Sequence, residues 1–350
     1  MTVNVDLLRR LSNAPGISGF EDDVQAIVNE SLSASCDETW RDRLGNVIGV
    51  KRAVNTVSKG ERTPRVVLAA HADEIGMLVK HISPEGFIRF APVGGLRAAA
   101  ITSQLVTIHG RKSVNGVIVP PSAPPTGTTE ERPITLEGLM IDVGLPRDRV
   151  CELVEVGDPI TFAQEFVQLN SDVYMGRNFD DRIGTYCLIE TMNRMRSAHV
   201  DVYGVSTVQE ELGVRGMPVA AYAIDADIGI ALDGSLCQGA GSWADPYERT
   251  CVMGNGTGIY VMDRLTMGDK RLVGFLIDLC KKNNIPHQRN VGGGTDASAL
   301  QRNKVGALAT TVGAPVRYMH STVQLCHDSD IEATISLLTT FLEHAHELLD

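Results

Sequence analysis

The stretch Arg65-Val66-Val67-Leu68-Ala69-Ala70-His71-Ala72-Asp73-Glu74 divides the chain into two textures. Arg65 to Ala70 is a short apolar run and reads as a buried strand. It closes on a histidine and two carboxylates. From about Asp73 to Asn170 the pattern becomes short strand-like runs split by turn residues, among them Gly86, Gly94-Gly95, Gly110, Gly116 and Pro120-Pro121. That predicts a small β-rich, barrel-like unit. The run PPSAPP at 120–125 reads as an exposed loop within it.

From Arg182 onward strands and helices alternate. The spacing predicts a helix over 184–196, strands over 202–208 and 228–232, a helix over 270–282, a strand over 307–312 and a closing helix over 331–349. Ahead of the divide, Ser18-Gly19-Phe20-Glu21 has the capping-box pattern. With Val24, Ile27, Val28 and Leu32 at helical spacing, it predicts a helix over about 19–33. The fold class is therefore α/β, with a mostly parallel central sheet flanked by helices. Residues 1–72 and 171–350 would build that domain, and residues 73–170 a β-barrel-like insertion.

Composition narrows the function. The 350 residues are 43% hydrophobic and 21% charged, with a formal net charge of −11. An acidic chain without a Lys/Arg cluster argues against nucleic-acid binding. No run approaches the ~18 apolar residues of a membrane span, and MTVNVDLLRRLSNAPG lacks the continuous apolar stretch of a signal peptide. The cysteines at 36, 151, 187, 237, 251, 280 and 326 are scattered and form no CxxC. They read as thiols in a reducing cytoplasm, with no structural zinc.

Five acidic or histidine clusters fall at predicted strand ends or the turns after them, where open parallel sheets form ligand sites. Each has two readings. His71 and Asp73 are a metal ligand and the carboxylate that fixes its tautomer, or a solvated strand end. Asp180, in Phe179-Asp180-Asp181-Arg182, is a ligand, a helix N-cap, or both. Glu210 and Glu211 end the strand VSTV. As neighbours on a strand they point to opposite faces, one to a metal and the other, as general base, to a water; the other reading is a solvated strand end. Asp233 is a ligand or an Asp-Gly turn. His320 is a ligand or a structural histidine. Taken jointly, two histidines and at least three carboxylates fit a paired-metal hydrolase site. Gly292-Gly293-Gly294-Thr295-Asp296 lacks the Lys-Ser/Thr of a phosphate loop. It reads either as backbone lying close to a substrate, making Gly292, Gly293, Gly294 and Asp296 candidate substrate-binding residues, or as a plain turn.

The motifs APGISGFEDDV, RLGNVIGV, HADEIGM, PVGGLR, MIDVG, VGDPITF, FDDRIG, VQEELGVRG, GGGTDASA and RYMHS occur in that order. Through them essentially the whole chain resembles the tetrahedral aminopeptidases of the dinuclear metallopeptidases. Relatives in that family include glutamyl and deblocking aminopeptidases and proteins once labelled endoglucanase M. The resemblance implies two divalent metal ions per subunit. His71 and Asp233 would bind one, Glu211 and His320 the other, and Asp180 both. Glu210 would be the general base and Asp73 would orient His71. It also implies an α/β domain with a barrel-like insertion, dimers formed through that insertion, a dodecamer of six dimers, and short peptides cleaved from the N-terminus. Zinc, cobalt and manganese all suit such ligands. The rival readings are a glycoside hydrolase, which would leave the histidines without a role, a non-catalytic assembly paralogue, and an N-acyl amino acid deacylase on the same centre.

Overall fold

The computed structural model describes residues 3–54, 62–121, 133–237 and 251–349. The last four positions of PPSAPP, 122–125, lie outside the described residues. An eight-stranded sheet forms the centre. Its spatial order is Glu38–Arg41, Val47–Lys51, Asp201–Thr207, Arg65–His71, Ile228–Leu232, Leu308–Gly313, Thr257–Asp263 and His287–Gly292. The four strands in the middle, from Asp201–Thr207 to Leu308–Gly313, run parallel. The antiparallel pairings lie towards the two edges.

The strand Arg65–His71 shows why the sheet is buried on both faces. Val66, Leu68 and Ala70 join one core, with the helices Val5–Asn13, Asp22–Ser33, Phe179–Arg194, Lys270–Asn283 and Asp328–His344. Val67 and Ala69 join a second core on the opposite face, with Gly216–Ile224 and Ala297–Gln301. This is the two-residue side-chain period of a strand covered by helices on both sides. Trimming Leu68 to alanine would cost about 2–5 kcal/mol.

Six strands between Gly76 and Phe162 close a barrel in the order Gly76–Ile82, Ile88–Val93, Met140–Asp142, Ser113–Val119, Leu105–His109, Pro159–Phe162. Met77, Ile88, Val106, Ile108, Ile118, Ile141 and Ile160 fill it as a separate core. A smaller sheet, which includes Val173–Gly176, Pro315–Arg317 and Gln324–His327, packs beside the central one. Among the described residues no helix is long and apolar enough to cross a membrane, and no disulfide joins the cysteines.

Local expectations needed correction in three places. The capping box does not form: the helix is Asp22–Ser33, without a side-chain cap. Ser18 Oγ instead donates to Asp73 Oδ2 at 2.6 Å, and Glu21 Oε1 accepts from Gly19 N and Gln209 N. Asp180 is not the N-cap of its helix; Asn178 holds that position, and the Asp180–Asp181 peptide is cis. The helix Val5–Asn13 was not foreseen. Asn4 caps it through Leu7 N, Leu7, Leu8 and Leu11 bury its inner face, and it ends just before Pro15.

Candidate metal centre

The functional side chains gather at the C-terminal ends of three neighbouring parallel strands. Arg65–His71 ends on His71 itself, and Ile228–Leu232 is followed directly by Asp233. Asp201–Thr207, on the other side of Arg65–His71, leads to Glu210 and Glu211. Asp180 comes from the start of the helix Phe179–Arg194, and His320 from the turn between Pro315–Arg317 and Gln324–His327.

Two triads can each hold a cation. His71, Asp180 and Asp233 offer ligand atoms within 4.8 Å of one another, as do Asp180, Glu211 and His320. Asp180 is common to both. Its Oδ1 lies 3.2 Å from His71 Nε2 and its Oδ2 lies 3.3 Å from His320 Nε2. Glu211 Oε1 is 3.7 Å from His320 Nε2. Asp180 is held in place by Gln324, whose Oε1 accepts from Asp180 N at 2.7 Å.

The electrostatics suit cations. Burial pushes the Asp233 and Glu210 carboxyls well up, and nearby carboxylates add to the shift. Burial likewise raises Glu211 to about 7. At Asp180, burial alone would raise the pKa; hydrogen bonds from His320 and His71 reverse this and hold it low. Asp180 in turn lifts His320 to about 9. So many crowded, dehydrated carboxylates facing two imidazoles are a donor set for divalent metal, which would supply the missing positive charge.

The glutamate pair does not sit on a strand. The strand stops at Thr207, Gln209 has φ +57°, and Glu211 opens a turn. Strand alternation therefore does not separate their roles. Asp73 organises them instead: its Oδ1 accepts from Glu210 N at 2.9 Å and its Oδ2 from Glu211 N at 3.1 Å. Asp73 also faces His71, through both its backbone and its side chain. The closest partner of His71 Nδ1 is the Asp73 backbone carbonyl at 3.1 Å, with the carboxylate at 3.6 Å.

The glycine-rich loop divides. Gly293 and Gly294 line the cavity of about 480 Å³ that opens over His71, Glu210 and His320. Gly292 packs against the Tyr260 ring instead. Asp296 turns inward and its Oδ2 accepts from Thr207 Oγ1 at 2.5 Å, so it is a buried support and not a cavity residue.

Other contributors have no local signature. Gly94 and Gly95, at the barrel's end of the site, lie against two candidate ligands. A Cβ on Gly95 would stand 2.4 Å from His320 Nδ1, and one on Gly94 3.1 Å from Glu211 Oε2. Gly95 O also faces His320 Nδ1 at 3.2 Å. The pair stands out in PVGGLR, but what it touches is distant in sequence. Beneath His71, Glu74 is buried between Arg177, at 2.8 Å, and Arg182, at 3.4 Å. Arg182 also donates to the Ala72 carbonyl at 2.7 Å. These arginines tie the strand end to the carbonyls closing the first helix, including Ala14 O.

A parallel sheet whose strand ends carry a histidine–carboxylate centre for cations defines a metallohydrolase of the α/β class. The chain belongs to the M42 glutamyl aminopeptidase family, whose profile matches residues 45–337. It is 32% identical to the lysyl aminopeptidase of Pyrococcus furiosus over 353 aligned positions, covering 97% of each chain. An aminopeptidase of Desulfurococcus kamchatkensis superposes with a TM-score of 0.90 at 32% identity, covering 99% of this chain and 96% of the other. The TET1 peptidase of Pyrococcus horikoshii, described as assembling into a tetrahedron or a large octahedral shell, gives 0.83 at 27% identity, covering 97% and 99%. The chain is thus a metal-dependent aminopeptidase, a hydrolase of peptide bonds.

Proposed function

We propose that this aminopeptidase uses two divalent ions, drawn from zinc, cobalt or manganese, to release N-terminal residues from short peptides. His71 and Asp233 hold one ion, Glu211 and His320 the other, and Asp180 contributes to both. The observation that carries this reading is Asp180, with one carboxylate oxygen beside each histidine. Bound there, the ions polarise the scissile carbonyl and make a water more acidic. Glu210 lines the cavity and acts as general base. It takes the water's proton on a carboxylate oxygen and returns it to the leaving amine nitrogen. Asp73 holds the backbone of Glu210 and Glu211, and Gly293 and Gly294 present open backbone to the substrate.

The β-rich insertion at 73–170 would pair subunits as dimers, and six dimers would build a closed dodecamer, in keeping with the assemblies described for the Pyrococcus horikoshii peptidase. A cytoplasmic setting accords with seven cysteines that form no disulfide. The test is a screen of metal-reconstituted protein against amino-acyl anilides, N-acyl amino acids and glucans. Chelator-sensitive release from the anilides alone supports the reading. Turnover confined to N-acyl amino acids would replace it with a deacylase, and turnover of glucans without metal with a glycosidase.

A further inference from the structure

A second cavity, of about 380 Å³, adjoins the cleft over the metal centre. The two share Gly213, Val214 and Leu265 in their linings, so they meet at the turn that follows the glutamates. The second cavity is cationic. Arg302 and Lys304 line it, and both are exposed. Arg302 Nε donates to Ser298 O of its own helix at 3.0 Å, which steadies the side chain. Its terminal nitrogens have no partner among the described residues. Lys304 stands 3.6 Å from Asp225 and 4.9 Å from the centre of the Tyr222 ring, which steadies it without burying it.

At the metal-centre end the carboxylates are the ones assigned to the cations, and Arg264 also stands in that lining. At the other end Lys304 is paired with Asp225, and Arg302 offers a guanidinium whose terminal nitrogens are open among the described residues. A short peptide carries a carboxylate at the end opposite the one being cleaved. An extended chain advances about 3.3–3.6 Å per residue, so the distance from the metal centre to Arg302 selects a length.

We propose that Arg302, with Lys304 beside it, binds the C-terminal carboxylate of a short peptide whose N-terminus lies at the metal centre, so that the two cavities together read peptide length. This rests on the aminopeptidase reading above. Guanidinium suits the task because it binds carboxylate through two parallel N–H donors.

The test compares alanine peptides of increasing length, from the dipeptide upward, each as free acid and as C-terminal amide, on the metal-reconstituted enzyme. The free acids should show one best length. Amidation at that length should lower kcat/KM about fivefold, mostly through KM. Added salt should shrink the difference. Arg302→Ala should bring the acid-to-amide ratio close to one, and Arg302→Lys should restore part of it. Equal cleavage of acids and amides at every length would overturn the proposal while leaving the aminopeptidase intact. So would an Arg302→Ala enzyme that alters only the choice between N-terminal Glu and Leu, alike on acids and amides, since the second cavity would then read the first side chain. Cleavage of no peptide at all would overturn both readings together.

Discussion

The two halves of the candidate metal centre are built from the same kinds of side chain but are held in different ways. His71, Asp180 and Asp233 are all buried, at 3%, 6% and 7% exposure, and two of them end strands of the central sheet. The outer half depends on turns. Glu211 stands in the loop after Asp201–Thr207, and the His320 side chain is 40% exposed and braced by Gly95 from the barrel's end. The inner half inherits its geometry from the sheet, while the outer half borrows its geometry from a separately packed unit. Rigid strands place ligands more firmly than turns do, so the outer half should be the more easily disturbed.

The largest effect should come at the residue that belongs to neither half. Glu210→Gln should lower kcat on an amino-acyl anilide by about 10²–10⁴, with metal content by elemental analysis unchanged. A rate near wild type would remove Glu210 from the chemistry. Next come the histidines. His71→Ala and His320→Ala should each weaken cation binding by more than about a hundredfold, beyond what losing a supporting group costs. Calorimetric titration should show His71→Ala acting chiefly on the inner binding step and His320→Ala chiefly on the outer one, although each histidine also faces Asp180. Identical titrations for the two variants would break the comparison.

Gly95→Val sharpens it. A side chain there meets His320, and the outer step alone should weaken about 10- to 100-fold, the range for disturbing a ligand's support. An unchanged outer step would show that the barrel merely touches the site. The smallest effect is that of pH. Without metal, His320 keeps its proton up to about 9 because of Asp180, and Glu211 up to about 7 because of burial. A cation must displace those protons, so affinity at the outer half should rise with pH, by at most about tenfold per unit for each proton released, and level off above about 9. Affinity that falls as pH rises from 7 would refute this order of events.

What the sequence made legible was whatever depends on neighbours along the chain. The apolar run ending at His71, the break in texture after it and the return of alternating strands and helices all follow from local periodicity. So does the placing of Asp233 and the glutamates beyond apolar runs. The edge strand Glu38–Arg41 and the helix Val5–Asn13 were not read, because one is short and mostly exposed and the other carries two arginines in its apolar pattern. What stayed hidden was contact across distance. Nothing near Asp73 says that its carboxylate will grip two amides far along the chain. Nothing in FDDRIG says that Arg182 will be fully buried beside Glu74. Asp296 looked like a loop acid and proved to be a buried partner of Thr207.

The grip of Asp73 on Glu210 and Glu211 spans 137 and 138 positions. The barrel and a long helix lie between them in the chain. Closing so large a loop is slow compared with forming the barrel's own hairpins. During synthesis the chain would therefore emerge as strand, then barrel, then helix, with its base and outer ligand still unmade. Asp233 and His320 come later still, so the centre is complete only once nearly the whole chain has been made.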